Sequence, residues 1–192
     1  ESKPMTEAEE EAWEYEYYGI TIKTTKMVLV IDVSESMGPD KNPNAAWNPR
    51  PSPSGSDPVK DRANGKEEAR SFESKIQLAK YELITTILQM PENTRFLISM
   101  FGGRQAFVWP EGDMMMATPE GKNKAVDRIL SQKLALGTPL IEGLEVGWKN
   151  PEVDTIFCLS DGQPFHSRVM DPNEVVRQAV AQCTGARKIT VN

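Results

Sequence analysis

Histidine and cysteine are scarce in this chain of 192 residues, which contains only His166, Cys158 and Cys183. Zinc and copper sites in proteins are built mainly from imidazole and thiolate ligands, so this scarcity argues against a soft-metal site. No Cys-x-x-Cys pair is present, and two cysteines cannot build a disulfide framework. Their number does not indicate a cellular compartment. Cys158 lies in the apolar run TIFCLS, and we expect it to be a buried residue without a bridge to Cys183.

Long apolar runs and an excess of positive charge are also absent. No segment approaches the roughly 20 apolar residues that cross a bilayer, so we expect no direct membrane insertion. The net charge of −6 lies within residues 1–18, which hold seven glutamates and one lysine, whereas the rest has 21 acidic and 21 basic residues. A surface without a basic face predicts no nucleic-acid partner. We therefore predict an acidic N-terminal leader over residues 1–25.

Continuous apolar segments alternate with segments of helical periodicity. KMVLVID, TRFLISMF and DTIFCLSDG are typical of buried strands. Helix signals appear in SKIQLAKYELITTILQM and in the segments that begin at positions 118, 138 and 171. This alternation predicts an α/β fold with a doubly wound, mostly parallel, Rossmann-like sheet and helices on both faces. QAFVW follows a Gly-Gly turn and is predicted to form an antiparallel edge strand.

Proline is concentrated in one part of the predicted domain. Residues 39–58 hold six of the 14 prolines of the chain. Such a composition predicts a long loop, which we place in a Pro-rich insertion over about 39–73. The domain itself is predicted to cover residues 26–192.

Oxygen-bearing side chains follow two of the predicted strands and precede one helix. Asp32, Ser34 and Ser36 alternate after the first strand, Asp161 follows another, and Thr138 opens a helical segment. Because the carboxyl ends of parallel strands meet at one edge of a sheet, we expect these loops to converge there. Hydroxyl and carboxylate oxygens suit a hard cation such as Mg²⁺, with Mn²⁺ or Ca²⁺ as alternatives.

These residue types also have purely structural roles that the sequence leaves open. Asp and Ser side chains commonly hydrogen-bond the local backbone in turns, which would account for Asp32, Ser34 and Ser36. Thr138 stands directly before Pro139, a position typical of a helix N-cap. Asp161, before Gly162, is also typical of a turn.

The sequence resembles the von Willebrand factor A domains in these motifs. DVSES is similar to the family's D-x-S-x-S motif, LALGTPLIEGLEVG to its threonine loop, and TIFCLSDGQP to its second aspartate loop. The resemblance implies a metal-ion-dependent adhesion site in which Ser34, Ser36 and Thr138 contact the metal, while Asp32 and Asp161 act mostly through bound waters. Family members usually continue with one more strand and a C-terminal helix, so we expect this chain to lack them.

The resemblance implies a non-enzymatic adhesion or adaptor module. Neutral hydroxyl ligands leave Mg²⁺ poorly neutralised, and a coordination position stays open for an Asp or Glu of a protein partner. The lead-in YYGITIKTTK resembles that of A domains attached to larger bacterial proteins, so we expect the chain to be part of a larger chain or complex.

Two alternatives differ in function class. A Mg²⁺-dependent phosphohydrolase could use Asp32 as nucleophile, but Ser34 stands where such enzymes carry a second Asp as general acid and base. The other alternative is an assembly subunit that works beside an ATPase. The sequence has no P-loop of its own, so the ATPase would be a different protein.

Overall fold

The computed structural model of the chain describes residues 15–17, 20–39, 58–65, 72–183 and 190–191. Within these ranges the chain forms eight strands: β1 (Tyr15–Tyr17), β2 (Ile20–Ile22), β3 (Lys26–Asp32), β4 (Arg95–Gly102), β5 (Gln105–Trp109), β6 (Met115–Met116), β7 (Thr155–Leu159) and β8 (Thr190–Val191). The same ranges contain five α-helices: α1 (Pro58–Ala63), α2 (Lys75–Gln89), α3 (Pro119–Ser131), α4 (Leu140–Lys149) and α5 (Pro172–Cys183). A 3-10 helix, Glu35–Met37, follows β3. No helix of the described ranges is long and apolar enough to cross a membrane.

The main sheet has the strand order β5-β4-β3-β7-β8, and β6 also pairs with β4. β3 is parallel to both of its neighbours, β4 and β7, and β8 is parallel to β7. β5 and β6 run antiparallel to β4. The predicted fold class is confirmed: the chain is a doubly wound α/β protein with a mostly parallel sheet and an antiparallel edge strand.

The central position of strand β3 in the sheet explains why its sequence is an uninterrupted apolar run. Its residues after Lys26 are all buried. Met27, Leu29 and Ile31 pack into a core with α2 and α3, whereas Val28 and Val30 pack into a second core with α4. A parallel strand with helices on both faces has no solvent-facing side, so both sets of alternate side chains are apolar.

Helix α4 packs against the second face of the sheet at two glycines, where a side chain would not fit. A Cβ at Gly143 would lie 2.7 Å from the ring of Phe101, and one at Gly147 would collide with Ile156. The Ser99 hydroxyl also donates a hydrogen bond of 3.0 Å to the carbonyl of Gly143. These contacts fix the helix on the sheet, with its first turn near the carboxyl ends of β3 and β4.

The structure adds two features that the sequence patterns did not predict. Helix α1 lies inside the predicted Pro-rich insertion, and Val59 packs into the first core while the Arg62 side chain donates to the Thr85 hydroxyl at 2.9 Å. The antiparallel hairpin of β1 and β2 brings Ile22, which precedes the predicted domain start, into the same core. Residues 1–14 and 18–19 of the predicted leader and 40–57 and 66–71 of the insertion lie outside the described residues, and the domain boundaries stay predictions.

Candidate metal centre

The first loop of the site begins at the carboxyl end of β3, where Asp32 is fully buried. Its Oδ1 accepts a hydrogen bond from the backbone N–H of Ser34 at 2.8 Å, and its Oδ2 accepts one from the Ser160 hydroxyl at 2.6 Å. Burial raises the pKa of the Asp32 carboxyl, and the hydrogen bonds from Ser160 and Ser34 oppose that rise. Because these donors are neutral, an ionised Asp32 lacks charge compensation from them, which is costly in a buried position and favours a cation nearby.

A chain of hydroxyl groups joins this loop to the loop after β7. Oγ of Ser34 lies 2.8 Å from Oγ of Ser36, and the Ser36 hydroxyl donates to Oδ1 of Asp161 at 3.0 Å. Ser34 is buried, whereas Ser36 is exposed at the surface. Strand β7 ends at Leu159. The two residues that follow it contact different parts of the first loop: Ser160 contacts Asp32, and Asp161 contacts Ser36.

The threonine loop lies between the other two loops and is held to both by the backbone. The N–H of Ala135 donates to the carbonyl of Val33 at 2.9 Å. Thr138 and Phe165 exchange two backbone hydrogen bonds, of 2.7 and 3.1 Å. Gly137 has a φ of 111°, and a Cβ at this position would collide with the carbonyl of Gly103. The loop thus depends on glycine at position 137 to bring Thr138 to the sheet edge.

The Thr138 hydroxyl does not cap a helix. Thr138 precedes Pro139 in the same way as Thr118 precedes Pro119, so the sequence alone would predict a cap at both threonines. In α3, Oγ1 of Thr118 accepts a hydrogen bond from the N–H of Gly121 at 3.2 Å. Helix α4 instead begins after Pro139, and no side chain caps it. Thr138 is 5% exposed, and its hydroxyl has no hydrogen-bond partner among the residues that the structure describes. A hydroxyl in this position is available as a ligand.

A solved structure with the printed name von Willebrand factor type A, from Catenulispora acidiphila, is similar to this chain with a TM-score of 0.56 and 17% sequence identity. The match covers 86% of this chain but 32% of the other, so the present chain spans 32% of that protein's length. The chain has a von Willebrand factor A fold. No model of a known protein family matches the sequence. No curated protein matches it either. The resemblance seen in the motifs is therefore confirmed for the fold.

At the carboxyl edge of this von Willebrand factor A fold, the predicted site residues offer only oxygen atoms as candidate ligands. The five predicted site residues supply two carboxylates and three hydroxyls: Asp32, Ser34, Ser36, Thr138 and Asp161. Over the described ranges there is no group of three or more His, Cys, Asp or Glu side chains placed to hold a metal ion. Carboxylate and hydroxyl oxygens, without imidazole or thiolate groups, fit a hard cation such as Mg²⁺.

Two residues at this edge were missed by the sequence-based prediction. Ser160 contacts the buried carboxylate of Asp32. Lys75, the first residue of α2, places its Nζ 2.5 Å from Oδ2 of Asp161. Lys75 had a weak sequence signal, because a lysine in the first turn of a helix opposes the helix dipole. Ser160 had a signal only in its position, directly before Asp161 at the end of a strand that neighbours β3.

The segment after Asp161 is fixed by the first turn of α4. Glu142 accepts hydrogen bonds from the Ser167 hydroxyl at 2.7 Å and from the N–H of Arg168 at 2.6 Å. Together with the backbone pairing of Thr138 and Phe165, these contacts hold the second aspartate loop against the threonine loop. Two sets of contacts therefore position the candidate ligands: the hydrogen bonds among the site residues themselves, and those that Glu142 and Phe165 make with the loops.

Proposed function

We propose that the chain is a metal-dependent protein-binding module, of adhesion or adaptor type, that binds an acidic residue of a partner through a divalent cation. The observation that supports the proposal is that hydrogen bonds hold three loops with oxygen-bearing side chains together at one edge of the sheet. Asp32 is buried with neutral donors, among them the backbone N–H of Ser34. The hydroxyls of Ser34 and Ser36 lie within hydrogen-bond distance of each other, and that of Ser36 donates to Asp161. The Thr138 hydroxyl is left without a partner in the described structure.

The resemblance to the von Willebrand factor A motifs implies a role for each of the five residues. The hydroxyls of Ser34, Ser36 and Thr138 would contact the cation, and the carboxylates of Asp32 and Asp161 would hold it mostly through water. Mg²⁺ is the favoured ion, with Mn²⁺ or Ca²⁺ as alternatives. Since neutral ligands leave its charge poorly neutralised, the cation would supply a coordination position and positive charge for an Asp or Glu of a protein partner.

The geometry favours binding over phosphoryl chemistry. A phosphohydrolase would use an Asp32 oxygen as nucleophile, but Asp32 is fully buried and each of its oxygens accepts a hydrogen bond. An aspartate nucleophile must present an oxygen to the substrate phosphorus. The residue two positions later, Ser34, also carries a hydroxyl instead of the carboxylate needed for proton transfer.

The length of the similar structure supports a place for this domain within a larger assembly. The matched region makes up 32% of the von Willebrand factor type A chain from Catenulispora acidiphila. We therefore propose that this domain is also part of a larger chain or complex.

The test compares two threonines that share the Thr-Pro context. Thr138→Ala removes the hydroxyl proposed as ligand, and Thr118→Ala removes the hydroxyl that caps α3. Mg²⁺ binding is measured by titration calorimetry, and partner capture is then compared with Mg²⁺ and with chelator. We expect Thr138→Ala to weaken Mg²⁺ binding by about tenfold or more, which corresponds to about 1.4 kcal/mol, and to lose the partners that need Mg²⁺.

The Thr118→Ala control should behave in the opposite way. It should lose about 1 kcal/mol of stability, because a helix cap is removed, and keep its metal affinity. Partner capture that is the same in excess chelator, or the same for wild type and Thr138→Ala, would contradict the proposed function.

A further inference from the structure

Asp161 has two different partners at the sheet edge, and one of them is a cation. Its Oδ1 accepts the hydrogen bond from the Ser36 hydroxyl. Its Oδ2 accepts from Nζ of Lys75 at 2.5 Å. The Asp161 side chain is 14% exposed and that of Lys75 is 36% exposed, so the ion pair is shielded from solvent mainly on the side of the carboxylate. Shielding makes a charge pair stronger than it would be at an open surface.

The position of Lys75 is not explained by the helix to which it belongs. Lys75 is the first residue of α2, and the first turn of this helix has no acidic side chain. A positive charge at a helix N-terminus is unfavourable, because it adds to the positive end of the helix dipole. The N-cap requirement of α2 is already met by Ser74, whose Oγ accepts from the N–H of Gln77. The contact that favours lysine at this position is therefore the one with Asp161.

The two carboxylates of the candidate metal centre differ in how their charge is compensated. Asp32 accepts hydrogen bonds from neutral groups, whereas Asp161 is paired with an ammonium group. A divalent cation held by Ser36 and Asp161 would share the Asp161 carboxylate with the ammonium group of Lys75. The ammonium group both satisfies Asp161 and repels a second cation.

We propose that Lys75 is a tethered cation that competes with the divalent metal for Asp161 and thereby lowers the metal affinity of the site. The inference rests on the proposed function, since it concerns the same metal site. It predicts that the lysine holds the Asp161 loop in place when metal is scarce. It also predicts that metal binding weakens the contact between Lys75 and Asp161.

The experiment measures the affinity for Mg²⁺ alone, by titration calorimetry, in wild type, Lys75→Met and Lys149→Met. Lys149 is a matched control, because it forms a 2.8 Å ion pair with Glu145 at the other end of α4, and its replacement changes the net charge equally. From the repulsion between a single and a double positive charge, we expect Lys75→Met to bind Mg²⁺ about five- to tenfold more tightly. Lys149→Met should bind like wild type.

A second measurement separates competition from a merely structural role. In chelator, Lys75→Met should unfold at a slightly lower temperature than wild type, because an ion pair is lost. With Mg²⁺ its stabilisation should be larger than that of wild type, since tighter binding to the native state gives a larger shift. A structural role alone would lower stability in chelator without raising the affinity. Lys75→Gln, which keeps a polar side chain of similar length, is measured beside it in case Lys75→Met folds poorly.

The outcomes distinguish failure of this inference from failure of the proposed function. Tighter Mg²⁺ binding by the Lys75 variants than by wild type supports the competition, and so does binding by the variants alone. If wild type binds Mg²⁺ and both Lys75 variants bind it equally or more weakly, the competition is wrong while the proposed function stands. If neither wild type nor any Lys75 variant binds Mg²⁺, both are overturned.

Discussion

Ser36 and Asp161 are 125 positions apart in the sequence, and the Ser36 hydroxyl donates a hydrogen bond of 3.0 Å to the Asp161 carboxylate. The contact exists because β3 and β7, the strands before these two loops, are parallel neighbours in the sheet. Parallel neighbours end at the same edge, so the residues that follow them meet there. The candidate site is therefore a product of strand order, and no single motif contains it.

Replacement of Ser36 by alanine should separate metal binding from stability. Ser36→Ala removes the hydroxyl between Ser34 and Asp161, so we expect Mg²⁺ affinity to fall by about tenfold, or about 1.4 kcal/mol. Because Ser36 is exposed, the free energy of unfolding of the variant in chelator should differ from that of wild type by less than about 0.5 kcal/mol. Calorimetric titration and thermal unfolding measure the two effects. The control Ser131→Ala removes an exposed hydroxyl that donates to the carbonyl of Arg128, and it should change neither quantity.

Glycine at position 137 should be required for the threonine loop. Gly137→Ala places a side chain at a φ of 111°, where it also meets the Gly103 carbonyl. We expect a loss of about 2 kcal/mol in the free energy of unfolding and weaker Mg²⁺ binding, because the loop that carries Thr138 must move. Denaturant unfolding and metal titration provide the two measurements.

Gly112 provides the matched control for this prediction. Its φ of 93° is also positive, but a Cβ there would have open space around it. Gly112→Ala should therefore cost only the backbone strain, about 1 kcal/mol, and leave metal binding intact. Equal effects of the two substitutions on metal affinity would contradict the role assigned to Gly137.

The sequence predicted the elements of the fold well where a single physical cause determined them. β3 and β4 are buried on both faces, and this burial requires the apolar runs by which they were recognised. The helical segment that begins at position 118 was predicted for the same kind of reason, since the cap that Thr118 gives to the N–H of Gly121 depends on residues three positions apart. The edge strand β5 was also predicted, because a two-glycine turn leads to an antiparallel neighbour.

The features that were not predicted depend on residues far apart in the sequence. The partner of Lys75 is 86 positions away, and that of Ser160 is 128 positions away. Thr138 and Thr118 have the same local sequence signal, but the pairing of Thr138 with Phe165 moves the start of α4 one residue further along. Helix α1 was not predicted because it is only six residues long and its stability depends on packing.

Replacement of the buried carboxylate at position 32 should stabilise the metal-free protein. Asp32→Asn keeps the size of the side chain and removes a charge whose hydrogen-bond donors are neutral. We expect a gain of about 1 kcal/mol at neutral pH in chelator. Mg²⁺ should raise the unfolding temperature of wild type and leave that of the variant unchanged. A variant that Mg²⁺ stabilises as much as wild type would contradict the role of Asp32.

The stability difference between these two proteins should depend on pH. Burial raises the pKa of the Asp32 carboxyl, so the folded state holds this proton more tightly than the unfolded state. The stabilising contribution of the group is fully present below its unfolded pKa and is lost as the pH rises through its raised folded pKa. In chelator, the advantage of Asp32→Asn should therefore be small in acid and grow towards neutral pH. Unfolding curves for both proteins across that range provide the measurement.

The two cysteines should differ in reactivity. Both are free thiols. Burial, together with the charge of Asp32, raises the pKa of the Cys158 thiol to about 12. Since the thiolate is the reactive form, Cys158 should not react at pH 8 in the folded protein. Cys158 and Cys183 are both half-buried, so the difference in reactivity depends on the raised pKa of Cys158. Cys183, at the end of α5, should react.

A thiol-specific disulfide reagent at pH 8 gives a direct count of reactive cysteines. We expect one thiol per folded chain and two per chain in denaturant. Cys183→Ser should abolish the reaction of the folded protein, whereas Cys158→Ser should leave it unchanged. Rapid reaction of two thiols in the folded chain would contradict the protected position of Cys158 in β7. That result would also contradict the packing of β7 against the second core. Ser160 and Asp161 follow β7 directly, so their contacts with the first loop depend on the position of this strand.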